Sequence, residues 1–256
     1  SPGFILPYAA SSGCWWNRCS FCPERAEGNR YRPISTSMVR AELGHLITAH
    51  RPAMVHFLDN AMSPQLLASL AQDPLGAPFY GFVRFDRQLE DPAFCRALRA
   101  SGCRMVKLGI ESGDGQVLQA LRKGTASGQA TRVLHALRDA GIAVYGYFLF
   151  GTPAEDRQAA CTTKDFMVAH QDCLQFVNLA IFNMPIFGED AARELTEPFY
   201  SGDLSLYTGF RHPLGWERGD VRRFLRQELT REPAIAAMVR HDPPRFGSNH
   251  AAFMYP

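Results

Sequence analysis

Residues 12–23 read Ser12-Gly13-Cys14-Trp15-Trp16-Asn17-Arg18-Cys19-Ser20-Phe21-Cys22-Pro23. Cys14, Cys19 and Cys22 thus share one short loop. Three thiolates can hold three irons of a [4Fe–4S] cubane and leave the fourth iron open to a non-protein ligand. A structural zinc site takes four protein ligands, usually from two Cys-x2-Cys or Cys/His pairs. Only Cys19 and Cys22 have that spacing here. The other cysteines, Cys95, Cys103, Cys161 and Cys173, stand apart in helical or strand-like surroundings. Seven thiols, an odd number, and no secretory leader argue against a disulfide framework. On spacing alone, an open iron–sulfur cluster and a zinc site both stand.

Outward from this loop, apolar runs alternate with helical patterns between Ile5 and about Pro185. Strands are expected over residues 5–10, 54–58, 79–85, 105–110, 142–150 and 173–182. The first helix shows Val39, Leu43, Leu46 and Ile47 at helical spacing, with Ser35, Thr36 or Ser37 as its cap and Pro52 as its stop. Ser63-Pro64 and Asp91-Pro92 read as cap followed by first helical residue. Further helices are expected over residues 114–123, closed by Gly124, from about Ser127 to Ala140, and over 157–171. Six strands separated by helices make an α/β fold with a parallel sheet. Periodicity does not distinguish an open doubly wound sheet from a curved partial barrel. In both, ligands bind at the C-terminal ends of the strands.

Polar residues that end those strands are therefore site candidates. Asp59 and Asn60 follow the second strand, and Arg84 and Asp86 end the third. Glu111 and Ser112 end the fourth, before Gly113. A carboxylate accepts two hydroxyl protons at once, which suits Glu111 to a ribose diol; a buried ion pair with Arg84 or Lys107 is its structural alternative. Gly151 permits close approach after the fifth strand, and Glu155 reads as a cap for the next helix. Asn178 and Asn183 lie on the sixth. His56, His135, His212, His241 and His250 have no metal-ligand spacing and read as structural or surface residues.

The 256 residues suffice for one large domain with a real core, and 46% of them are apolar. A net charge of +2 gives no argument for nucleic acid or a membrane surface. No apolar run approaches the ~20 residues of a membrane span. Free thiols point to a reducing compartment, the cytoplasm. After Pro185 the alternation breaks. Val221, Phe224, Leu225 and Leu229 form an amphipathic helix with Asp220 as its cap, 234–239 continues as a short helix, and 242–250 reads as loop. Two units are expected: a core over 1–185 and an extension packing on it over 186–256.

The cysteine loop resembles the cluster motif of the radical S-adenosylmethionine (SAM) superfamily, Cys-x3-Cys-x-aromatic-Cys, with Phe21 at the aromatic position. It departs from that motif by one extra residue between Cys14 and Cys19. Val55-His56-Phe57-Leu58-Asp59-Asn60, Leu108-Gly109-Ile110-Glu111-Ser112-Gly113 and Phe148-Leu149-Phe150-Gly151-Thr152-Pro153-Ala154-Glu155 extend the likeness over about residues 5–185. The order and spacing resemble in particular the branch that often carries an upstream cobalamin-binding domain.

The resemblance implies a partial (β/α)6 barrel and an enzyme that cleaves SAM reductively with a [4Fe–4S] cluster on Cys14, Cys19 and Cys22. It implies SAM contacts from Phe21, Asp59, Asn60 and Gly151; position at or on the strands adds Glu111, Ser112, Asn178 and Arg84, whose guanidinium either holds the SAM carboxylate or forms a structural salt bridge. It also implies a one-electron reductant such as flavodoxin or ferredoxin, and a substrate it does not identify. A cobalamin-dependent methyltransferase core is the alternative activity, and a zinc- or cluster-binding structural module the non-enzymatic one. A cobalamin domain of ~100 residues or more does not fit in the dozen residues before the loop, so cobalamin is expected only through a domain outside this chain. The barrel mouth is then expected to expose Trp15, Trp16 and Phe187, with segments 203–207 and 210–213 able to close over it.

Overall fold

Six strands in chain order form one parallel sheet: β1 (Ile5–Tyr8), β2 (Met54–Phe57), β3 (Phe79–Val83), β4 (Cys103–Glu111), β5 (Ala143–Phe150) and β6 (Phe176–Ile181). The computed structural model describes residues 3–126, 128–241 and 248–254. Each strand lies beside its predecessor and the order never reverses. Crossovers of one hand that always step in the same direction place their helices on one face of the sheet. A doubly wound sheet reverses its strand order at a switch point, and this sheet has none. The fold is a partial (β/α)6 barrel.

The two faces of the sheet are buried separately. Phe57, Leu108 and Phe148 pack with Leu70, Leu98 and Leu137 of the helices in one large core. Met54, Tyr80, Met105, Tyr145 and Phe176 face the interior in a second cluster, which includes Ala251 and Ala252 of a 3-10 helix over Ser248–Met254. Residues 248–254 were expected as loop only as far as 250; 242–247 lie outside the described residues, as does Ser127.

Around the sheet run α1 (Thr36–His50), α2 (Pro64–Gln72), α3 (Pro92–Ala100), α4 (Gly115–Ala120), α5 (Gln129–Asp139) and α6 (Arg157–Ala169). Ser35, Ser63, Asp91, Asp114 and Asp156 each accept a first-turn backbone N–H, as the cap-rich sequence requires. Two expectations are corrected here. Asp156, not Glu155, caps α6. The helix read as running to Lys123 stops at Ala120, and Arg122 turns left-handed at φ 52°.

Beyond the sheet, α7 (Arg218–Gln227) and α8 (Pro233–His241) send Val221, Phe224, Ile235 and Met238 into the main core. Glu217, not Asp220, occupies the cap position of α7; Asp220 lies in its first turn. A small antiparallel sheet of Met184–Pro185, Thr196–Glu197 and Tyr207–Phe210 fills the stretch read as irregular. Strands of two residues carry no periodicity to read. Among the described residues no helix is long and apolar enough to cross a membrane.

Candidate active site

The cysteine loop leaves β1 and crosses the C-terminal ends of β2–β4. Asp59, buried at the end of β2, holds its start by accepting from Ala10 N at 3.0 Å and from Ser11 Oγ. Asn60 beside it is exposed. Ser11–Ser12 pair with Arg32–Pro33 and close the base of the loop. Between Cys14 and Cys19, Asn17 turns left-handed at φ 44°. Cys19 is buried, while Cys14 and Cys22 are half-buried. Burial pushes the Cys22 thiol up, and its neighbours Cys19 and Cys14 push it further; the N–H groups of Glu24 and Arg25 pull the other way.

The platform under the loop is the segment that follows α4. Ser20 N donates to Leu121 O at 3.0 Å and Trp16 Nε1 to Arg122 O at 3.2 Å. Arg84, at the end of β3, donates from Nη2 to Lys123 O and lies 3.5 Å from Cys19 Sγ through Nη1. Its guanidinium stacks 4.5 Å from the Trp16 ring and 5.7 Å from Trp15. Gly124, at φ 72°, lies against Trp16, where a Cβ would fall inside the indole. Trp15 and Trp16 are therefore half-buried, and only Phe187 of the expected apolar mouth is well exposed.

Lys123 enters the site because Arg122 reverses the chain. Its Nζ is 2.6 Å from Glu111 Oε1, and both side chains are about nine-tenths buried. The ion pair proposed for Glu111 exists, then, but with Lys123 in place of Arg84 or Lys107. Glu111 itself sits at φ 66°, at a bulge in the β4–β5 ladder. The pair occupies space that only a glycine leaves free: a Cβ on Gly109 would lie 2.5 Å from Glu111 Oε1 and 2.7 Å from Lys123 Nζ. Phe21 packs on Val117, Leu121 and Ala159, with Lys123 Nζ 5.7 Å from its ring centre. The three cysteines, Phe21, Arg84 and Glu111 thus gather at one place, and Lys123, missed in the sequence, joins them.

Other candidates lie apart. Ser112 Oγ is 3.0 Å from Thr163 Oγ1 of α6 and accepts from Asp114 N, so it ties the β4 turn to a helix. Asn178 is half-buried on β6, in register with Tyr147. Asn183 accepts from Arg218. Gly151, at φ 77°, donates its N–H to Glu155, whose Oε2 also accepts from Trp216 Nε1 at 3.3 Å. His212 donates to Thr152 O at 2.8 Å, which brings segment 210–213 onto the end of β5.

Glu155 is fully buried, and burial raises its carboxyl from 4.5 to about 7. A carboxyl raised on folding binds more protons in the folded chain than in the unfolded one between those two values. Stability from this group therefore falls as pH rises from about 5 to about 7, and is level above that. Glu155→Gln is expected to flatten this slope in thermal melts across that range; an unchanged slope would assign it elsewhere.

Among the described residues, no group of three His, Cys, Asp or Glu side chains is gathered tightly enough to hold a single metal ion. The thiolates of a cubane sit on separate irons and spread wider than the ligands of one ion. The donor set fits such a group: three thiols on one loop, with Cys22 close enough to feel Cys19 and Cys14 and a guanidinium beside Cys19. Among the described residues, Arg84 Nε, Trp15 Nε1 and Thr125 Oγ1 are buried here with no hydrogen-bond partner.

A family model described as the Radical SAM superfamily matches residues 8–167. An uncharacterized methyltransferase of Pyrococcus horikoshii is 27% identical over 163 residues, 61% of this chain and 35% of its own length. Hopanoid C-3 methylase of Methylococcus capsulatus is 27% identical over 203 residues, 74% of this chain and 37% of its own. This chain spans little more than a third of either relative. The structure of TsrM, a radical SAM methyltransferase of Kitasatospora setae solved with cobalamin and a [4Fe–4S] cluster, superposes with a TM-score of 0.61 at 22% identity, over 73% of this chain and 38% of that one. That likeness is one of fold.

Proposed function

Since this chain belongs to the radical SAM superfamily of enzymes, we propose that Cys14, Cys19 and Cys22 hold a [4Fe–4S] cluster and that SAM binds beside it at the barrel mouth. When bound, the cluster supplies one electron to SAM, which breaks into methionine and a 5′-deoxyadenosyl radical that takes a hydrogen atom from the substrate. The observation that supports this most directly is the gathering of three thiols, Arg84, Phe21 and the Glu111–Lys123 pair at the C-terminal ends of β3 and β4.

This chain's own residues set the place of that chemistry. Trp15, Trp16 and Arg84 cover the loop and keep water from it. Lys123 fixes Glu111, whose carboxylate receives the ribose hydroxyls. Phe21 offers its ring to adenine, and Arg84 its charge to the SAM carboxylate. Asn60, Gly151 and Asn178 complete the contacts, while Asp59 and Ser112 act by holding the loops on which those contacts sit. A flavodoxin or ferredoxin supplies the electron. The catalytic unit ends near residue 185, and 186–256 form an extension that braces it.

Methyl transfer is the second reading, favoured by the names of the relatives, with cobalamin held by a domain outside these residues. Anaerobic reconstitution followed by dithionite and SAM tests both. Roughly four irons per chain with methionine and 5′-deoxyadenosine as products is the expected result. S-adenosylhomocysteine formed only with added cobalamin protein would favour methyl transfer, and a single zinc per chain would overturn both.

A further inference from the structure

Arg84 comes directly after β3, and it is 7% exposed. An arginine keeps its charge in a protein, so a buried one calls for an anion beside it. The carboxylates at the strand ends are committed elsewhere. Glu111 holds Lys123, Asp59 accepts from Ala10 N and Ser11 Oγ, and Asp86 accepts from Gln88 N at 3.0 Å. Among the described residues no carboxylate pairs with Arg84. Its Nη1 instead meets the sulfur of Cys19, 3.5 Å away and itself buried.

The guanidinium is held there from several sides. Nη2 donates to Lys123 O, on the backbone that Arg122 turns inward. The Trp16 and Trp15 rings flank it at 4.5 and 5.7 Å. Aromatic faces and a backbone carbonyl stabilise a cation and fix the orientation of its planar fork. Cys22 is served differently: it takes the backbone N–H groups of Glu24 and Arg25, which are neutral donors. At Cys19 the donor carries a full positive charge.

A hydrogen bond to a ligand sulfur and a positive charge beside it both favour the more negative state of an iron–sulfur group. Both act most strongly where water is excluded. Adding an electron makes the group more negative, so a buried cation at one of its sulfurs makes that electron easier to add.

We propose, resting on the cluster reading above, that Arg84 sets the reduction potential of the cluster through the sulfur of Cys19, raising it into reach of the one-electron reductant. One electron passes from the reductant to the cluster, and no proton moves with it, since the guanidinium stays protonated throughout. The effect is exerted before SAM arrives and is separate from any contact with the SAM carboxylate. Lys123 O and the two indoles act by holding the guanidinium in place.

Redox titration of the reconstituted chain without SAM, followed by electron paramagnetic resonance, tests the proposal. Arg84→Met is expected to lower the midpoint by at least about 59 mV, a ten-fold change in a one-electron equilibrium, and Arg84→Lys to recover part of the shift because the charge remains. A merely structural role would change the melting temperature or the iron content and leave the midpoint of the clusters retained where it was. A second measurement uses the wild-type chain, with arginine isotopically labelled only at its two terminal guanidinium nitrogens. Pulsed resonance of the reduced cluster is expected to show a hyperfine coupling that changes with the isotope, and this decides the matter where Arg84→Met fails to fold or loses its cluster. A smaller shift or a rise in cluster-bearing Arg84→Met, or no such coupling in the wild type, would overturn the assignment while the cluster reading stands. Wild-type chain without iron would overturn both, and iron content tells the two failures apart.

Discussion

Replacing Cys14, Cys19 or Cys22 by Ser is expected to reduce reconstituted iron from roughly four atoms per chain to near none, and SAM cleavage with it. Each serine leaves a hydroxyl where an iron needs a thiolate, and a cubane with two protein ligands is not retained. The contrast lies in the other thiols. Burial pushes Cys95 and Cys173 up to about 11 and Cys103 up to about 12, so they are protonated at neutral pH and pack as small apolar groups. Cys95 Sγ donates to Leu89 O and Cys103 Sγ to Met105 O. Changing Cys95, Cys103, Cys161 or Cys173 to Ala should leave the iron content intact. Iron lost on any of those four changes would identify a protein ligand on the fourth iron and would refute an open cluster.

Lys123→Met is expected to destabilise the chain by ~3–5 kcal/mol, the cost of leaving a buried carboxylate without its partner. Glu111→Gln combined with Lys123→Met removes both charges and should recover most of that loss. The double variant also separates folding from binding. If Glu111 receives the SAM ribose, the stable double variant should still lose ~1.5–3 kcal/mol of SAM affinity, as expected for hydrogen bonds to a charged group. Thermal melts and calorimetric SAM titration give the two numbers. A single variant as stable as wild type would show that the pair is hydrated, and unchanged SAM affinity in the double variant would remove Glu111 from the site.

Much of this arrangement was legible in the chain. Apolar runs of four to nine residues bounded by Ser-Pro, Asp-Pro and glycine marked all six sheet strands and their helices, because burial on both faces and helix capping are local requirements that leave local patterns. The three thiols on one loop and the carboxylate that ends β4 were legible for a similar reason: a side chain's place in a loop or at a strand end is itself a local matter. The sheet order was not. Strand-helix alternation is common to a doubly wound sheet and a barrel, and only the steady 1-to-6 order decided between them.

Lys123 was unreadable because its role hangs on a left-handed backbone at Arg122, which turns an apparent helix end back toward the barrel. The partner of Glu111 was a matter of distance across twelve residues and a bulge, which spacing does not encode. Lys107 read as one alternative partner for Glu111, and His56 as an isolated histidine. Parallel register, fixed only when the strands pair, stacked them on the same inner face 3.4 Å apart. Local pattern determined the elements and the loop that carries the thiols; long-range pairing decided which charges face one another inside the barrel.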